Sequence, residues 1–83
     1  MSEDELIRRH IEQDPWHPGP DGARLILVGV HVWAIVGYLD AFKGDVAAVA
    51  RNYDVPQEAI LAALAYYRQN KCVIDARIAA NAA

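Results

Sequence analysis

Apolar residues recur at helical spacing through the second half of the chain and at strand-like spacing before it. From Val32 onward, Val32, Ile35, Val36 and Leu39 repeat at three and four residues, which predicts a helix to about Ala41 with one buried face. Lys43-Gly44 ends it. Asp45 then stands where its side chain can cap a second, short helix, in which Val46, Val49, Ala50 and Tyr53 share a face. Residues 52–55 read as a tight break, and Pro56 opens a third helix at a position where its missing N–H costs nothing. There Ile60, Ala63, Leu64 and Tyr67 form the inward stripe, against polar Gln57, Glu58, Arg68 and Gln69. A last segment, with Ile74 and Ile78 four residues apart, is expected to be helical and to fray into Ala-Ala-Asn-Ala-Ala.

The first part of the chain follows another pattern. Ser2, with Glu3, Asp4 and Glu5 behind it, suits the start of a helix, because serine caps and early acids complement the helix dipole. Leu6, Ile7 and Ile11 fit one helical face, yet residues 8–13 fit an extended edge strand equally well. Residues 14–22, Asp-Pro-Trp-His-Pro-Gly-Pro-Asp-Gly, hold three of the four prolines and read as a long connector. Residues 24–32 are rich in β-branched side chains and read as one strand or a broken hairpin, with Gly29 marking a bulge or turn. The expected fold is therefore mainly α, with a small β-hairpin or strand pair near the N-terminus. It is a three- to four-helix bundle containing a helix-turn-helix at residues 45–69. One domain, residues 1–83, is expected: an arm, proline loop and strand over 1–31, and a helical bundle over 32–83.

Composition narrows the function more than the fold. A domain of 83 residues is small for a core plus a deep catalytic cleft, and burial in a homodimer is an economical source of further stability. Eight Lys and Arg against eleven Asp and Glu give a net charge of −3, which excludes a protein that coats nucleic acid through bulk electrostatics. Any contact with double-stranded DNA must be local. The longest apolar run, residues 25–36, is interrupted by His31 and is about half of the roughly 20 residues that a membrane helix needs. The single Cys72 has no partner for an internal disulfide, and residues 1–13 are charged, unlike a secretory leader. A cytoplasmic protein without membrane attachment is the expectation.

No catalytic or cofactor pattern emerges. His10, His17, His31 and Cys72 match no zinc spacing, so no metal site is expected, and His31 within an apolar strand reads as a partly buried, hydrogen-bonded side chain. Neither Cys72 nor Ser2 has a defensible triad; Asp40 and Asp45 read as capping and solubilising residues. The Gly-Pro-Asp-Gly turn lacks the spacing and lysine of a phosphate loop. Trp33, Tyr53 and Tyr67 read as packing residues, and Trp16, on the loop, as a contact for a second chain.

The order Val32-Trp33-Ala34-Ile35-Val36, a Gly-Asp turn, Val46 to Tyr53, Ala62-Ala63-Leu64-Ala65-Tyr66-Tyr67 and Ile74-Asp75 resembles the DUF433 family over most of the chain. The resemblance implies a strand pair leading into a helical bundle of winged or helix-turn-helix character. It also implies an antitoxin role beside a PIN-like nuclease toxin. A glycine-threonine-arginine stretch usual in that family is replaced here by Leu27-Val28-Gly29, so its basic residue is missing. For DNA, the candidate contacts are Gln57 on the third helix and Arg51, Arg68 and Lys71 for phosphates, although alanines dominate that helix. For a toxin or a second copy, the candidates are Trp16, Leu25, Leu27, Ile74 and Ile78, with the N-terminal strands pairing between subunits. The expected function is thus an antitoxin-like binding protein, or a homodimeric adaptor of the same fold that does not bind DNA.

Overall fold

A computed structural model describes residues 2–82; Met1 and Ala83, the last alanine of the expected fraying tail, lie outside the described residues. Both readings of the N-terminal segment hold, in succession. Helix α1 (Glu3–His10) is capped by the Ser2 hydroxyl, which accepts from Glu5 N–H at 3.2 Å, and its dipole is matched by acids in the first turn and Arg8, Arg9 and His10 in the last. The chain then extends into strand β1 (Ile11–Gln13), which pairs antiparallel with β2 (Ala23–Leu25) in the register Ile11 to Leu25, Glu12 to Arg24 and Gln13 to Ala23. The connector between them includes a single 3-10 turn, Pro20–Gly22.

Residues 24–32 are not one strand. Beyond Leu25 the backbone reverses through a turn closed by Gly29 N–H to Leu25 C=O and Leu25 N–H to Val30 C=O, both 2.8 Å, with Gly29 at φ +69°. His31 returns alongside Arg24 in an isolated antiparallel bridge. This is the broken-hairpin alternative. The two strands are also paired within the chain rather than held for a second subunit, and the bridge from His31 borders β2 on its other side.

Helices α2 (Val32–Ala41), α3 (Val46–Tyr53), α4 (Gln57–Gln69) and α5 (Lys71–Ala82) follow, the four helices of the expected bundle, which with α1 make five among the described residues. Asp45 caps α3 by accepting from Ala48 N–H at 3.1 Å, and Pro56 precedes α4. Replacing Asp45 with alanine orphans that donor. It should cost about 1 kcal/mol in urea unfolding while leaving the circular dichroism spectrum intact.

The core gathers Leu25, Val32, Ile35, Val49, Ile60 and Ile74 from β2 and the four C-terminal helices. At its centre is α4, which touches each of the other four helices. Ala59, Ala62, Ala63 and Ala65 are all buried there, and their small side chains let neighbouring helices close in from several sides. Among the described residues, no helix is long and apolar enough to cross a membrane.

Candidate functional site

The segment expected to be a helix-turn-helix has its backbone form. Asp54, in the turn between α3 and α4, is left-handed at φ 57° and ψ 49°, and Val55 N–H bonds Ala50 C=O at 3.0 Å. One face of its second helix, however, is covered. Helix α1 lies antiparallel along α4: Glu3 pairs with Arg68 at 2.8 Å and Asp4 with Gln69 at 3.2 Å at one end, and His10 with Glu58 at 3.0 Å at the other. A recognition helix needs a free face to enter a groove. Here α1 occupies one face and the core another, and the exposed stripe that is left, Gln57, Leu61 and Arg68, has a leucine at its middle and at its end an arginine already paired with Glu3.

The four DNA candidates are not brought together. Gln57 and Arg51 are exposed near the start of α4, whereas Arg68 and Lys71 lie near its end, roughly 16 Å along the helix axis at 1.5 Å per residue. Arg68 is engaged by Glu3. Lys71 Nζ contacts Asp75 at 2.9 Å, and the hydrogen bond to Asp75 is the main cause that raises the lysine pKa and lowers that of the carboxylate.

Of the five interface candidates, two are corrected. Leu25 and Ile74 are both 0% exposed in the single chain: they are core residues, with no surface left to offer a partner. Their apolar character marked burial, and the chain itself supplies it. Ile78 packs partly buried against the core. Trp16 and Leu27 are outward, at 84% and 60% exposure. Leu27 sits between Ile26 and Val28, also exposed, in the turn beyond β2. Ile26 N–H bonds His10 C=O at 2.9 Å, which places this turn at the α1 end of the strand pair, opposite the proline loop.

The proline loop builds a constellation of chemistry-bearing side chains that sequence spacing does not reveal. Asp14 opens an Asx turn, its Oδ1 accepting from Trp16 N–H at 2.9 Å. Its Oδ2 lies 2.9 Å from His17 Nδ1 and 2.9 Å from His31 Nε2, and Arg24 Nη1 is 3.4 Å from Oδ1. Asp14 is only 4% exposed, the one buried charged residue among those described. The Trp16 amide, both imidazoles and Arg24 outweigh this burial and hold its carboxyl well below the usual carboxylate range. Around it, Gln13 Nε2 donates to the carbonyls of His17 and Gly19, and Tyr66 O–H donates to the Pro20 carbonyl at 2.6 Å, tying the loop to α4.

A cavity of about 240 Å³ opens beside this cluster, lined by both histidines, Trp16, Trp33, Asp21 and Arg77 among others. The Trp33 ring is stacked near parallel to His31 at 6.3 Å, and the Arg77 guanidinium lies over its face at 5.2 Å. A histidine oriented by a carboxylate is half of an acid–base catalyst. No hydroxyl or thiol lines the cavity, and Cys72 is exposed on α5. The Asp-Pro-Trp-His start of the loop was a legible signal for the Asp14 turn, but His31 arrives only through the reversal at residues 26–29. No family model, curated protein or solved structure matches the chain.

Proposed function

We propose that this chain is an antitoxin-like, non-enzymatic binding protein whose partner is another protein rather than a DNA duplex. The observation that carries this reading is the turn Ile26-Leu27-Val28, three consecutive apolar side chains facing solvent, whereas the other exposed large aliphatics, Leu61 and Val73, stand singly on helices. Such a run costs solubility unless something covers it, which is why it favours an interaction surface. The resemblance to DUF433 supplies the class of partner, a PIN-like nuclease toxin encoded beside it. A second reading, the adaptor that does not bind DNA, is favoured by α1 lying over α4 and by the carboxylates engaging Arg68 and Lys71.

Co-expression with the product of the adjacent gene is expected to yield a complex that co-purifies, with light scattering separating a mixed assembly from a homodimer. Mobility shifts with the chain's own promoter should show no sequence preference beyond weak, salt-sensitive retention. A monomer that retains no neighbour would overturn the partner reading; tight and specific promoter binding would overturn the exclusion of DNA.

A further inference from the structure

We propose that Asp14, His17 and His31 form a binding site for a divalent transition-metal ion of the zinc type. The inference is independent of the partner reading, since the cluster lies at the loop end of the strand pair and uses none of residues 26–28.

The first support is convergence. One donor atom from each residue falls within 4.8 Å of the other two, although the residues come from the loop start, the loop and the segment after the turn. The second is distance. Zinc at 2.0–2.1 Å from tetrahedral ligands sets donor atoms about 3.3 Å apart and the centres of two bound imidazoles about 5 Å apart. Here Asp14 Oδ2 is 2.9 Å from each ring nitrogen, and the rings of His17 and His31 are centred 5.0 Å apart. Ligation in place of the two hydrogen bonds needs the carboxylate to open by a few tenths of an ångström and the two ring nitrogens, within 4.8 Å of each other, to close towards the same spacing.

The third support is the surrounding order. A ligand carboxylate is normally held by outer partners, and Asp14 Oδ1 already receives the Trp16 amide, with Arg24 Nη1 beside it, which turns Oδ2 towards the rings. Imidazole and carboxylate together suit zinc, nickel or copper and not calcium or magnesium, which prefer all-oxygen sets. Three protein ligands beside an open cavity leave a fourth position for water or an incoming group. Arg24 adds an opposing positive charge, so affinity should fall below that of closed thiolate sites.

Proton balance is simple. Each neutral imidazole that donates to Asp14 carries its proton on the bonded nitrogen. On metal binding that proton moves to the other ring nitrogen, with no change in ring charge.

The test is calorimetric titration of the untagged full chain with zinc chloride, alongside long-range nitrogen NMR of the imidazoles. One ion per chain is expected. His17→Gln and His31→Ala should each weaken binding by roughly tenfold or more. His10→Ala should not, because His10 bonds Glu58 at the far end of the strand pair. His17 is half-exposed, so its variant should fold, and the wild-type spectra need no variant: zinc should move the proton off His17 Nδ1 and His31 Nε2. No binding, binding indifferent to both substitutions, or unchanged tautomers would each overturn the site and leave a hydrogen-bonded loop staple.

Discussion

Leu25→Ala is expected to lower stability by about 2–5 kcal/mol, by a mechanism that separates two roles for this residue. Leu25 is fully buried in β2, opposite Ile11, and belongs to the cluster containing Ile35, Ile60 and Ile74. Truncation removes buried methyl groups and leaves a cavity that a short strand, pinned on both sides by hydrogen bonds, relaxes poorly. For 83 residues the whole folding free energy is on the order of 4–12 kcal/mol, so the loss is a large fraction of it. At roughly 4–8 °C per kcal/mol, the melting temperature should fall by about 10 °C or more. A core role requires this fall to be independent of protein concentration. If Leu25 instead served a subunit interface, the fall would shrink as concentration rises, because mass action would compensate for weaker association. Thermal melts over a hundredfold concentration range distinguish the two.

Gly22→Ala should be of comparable size, through the opposite fault. A Cβ at this buried position overlaps the His17 carbonyl oxygen and comes within 2.8 Å of its carbonyl carbon, so backbone, and not a flexible side-chain end, has to move. Overpacking typically costs 1–3 kcal/mol, and about 3 is expected where main chain blocks the new atom. The displacement falls on the segment that carries His17, so the Asp14 cluster should be lost along with the stability. Urea unfolding would register the first, and the His17 and His31 imidazole shifts the second. A variant as stable as the parent, with both imidazoles unchanged, would contradict the close packing of the loop.

Legibility in the sequence followed the physics of each segment. The helices after Val32 declared themselves because each has an apolar stripe at three- and four-residue spacing and a local stop or start: Lys43-Gly44, Asp45 and Pro56. Residues 24–32 left two readings open because their β-branched side chains fit a strand over the whole run. Gly29 is the residue that permits the reversal, and the choice between a bulge and a full turn is made by Val30 and His31 finding partners on β2. The position of α1 was hidden for another reason. The face of α4 that it helps to cover is built from alanines such as Ala62 and Ala65, whose small side chains carry little apolar signal, and the registering contacts are polar ones 65 residues apart, the Glu3–Arg68 ion pair and the Gln69–Asp4 hydrogen bond. Leu25 and Ile74 were legible as apolar but not as inward, since periodicity in a three-residue strand or a short stripe does not say which chain covers it. In the same way, Asp14 and His17 are neighbours at a spacing of three, whereas His31 lies 17 residues from Asp14 and joins only after the chain has turned twice.

The central claim is that the exposed turn at residues 26–28 is a protein-binding surface, and Leu27→Asp tests it most directly. Leu27 is 60% exposed and outside the core cluster, so a carboxylate there should leave the fold and the melting temperature nearly unchanged. Buried against a partner, the same carboxylate would be desolvated without a counter-charge, and binding should weaken by roughly a hundredfold or more. The measurement is size-exclusion chromatography with light scattering on the chain co-expressed with its neighbouring gene product, parent and variant side by side. A complex in the parent that is absent in an equally stable variant is the predicted result. A complex that survives the substitution unchanged would contradict it.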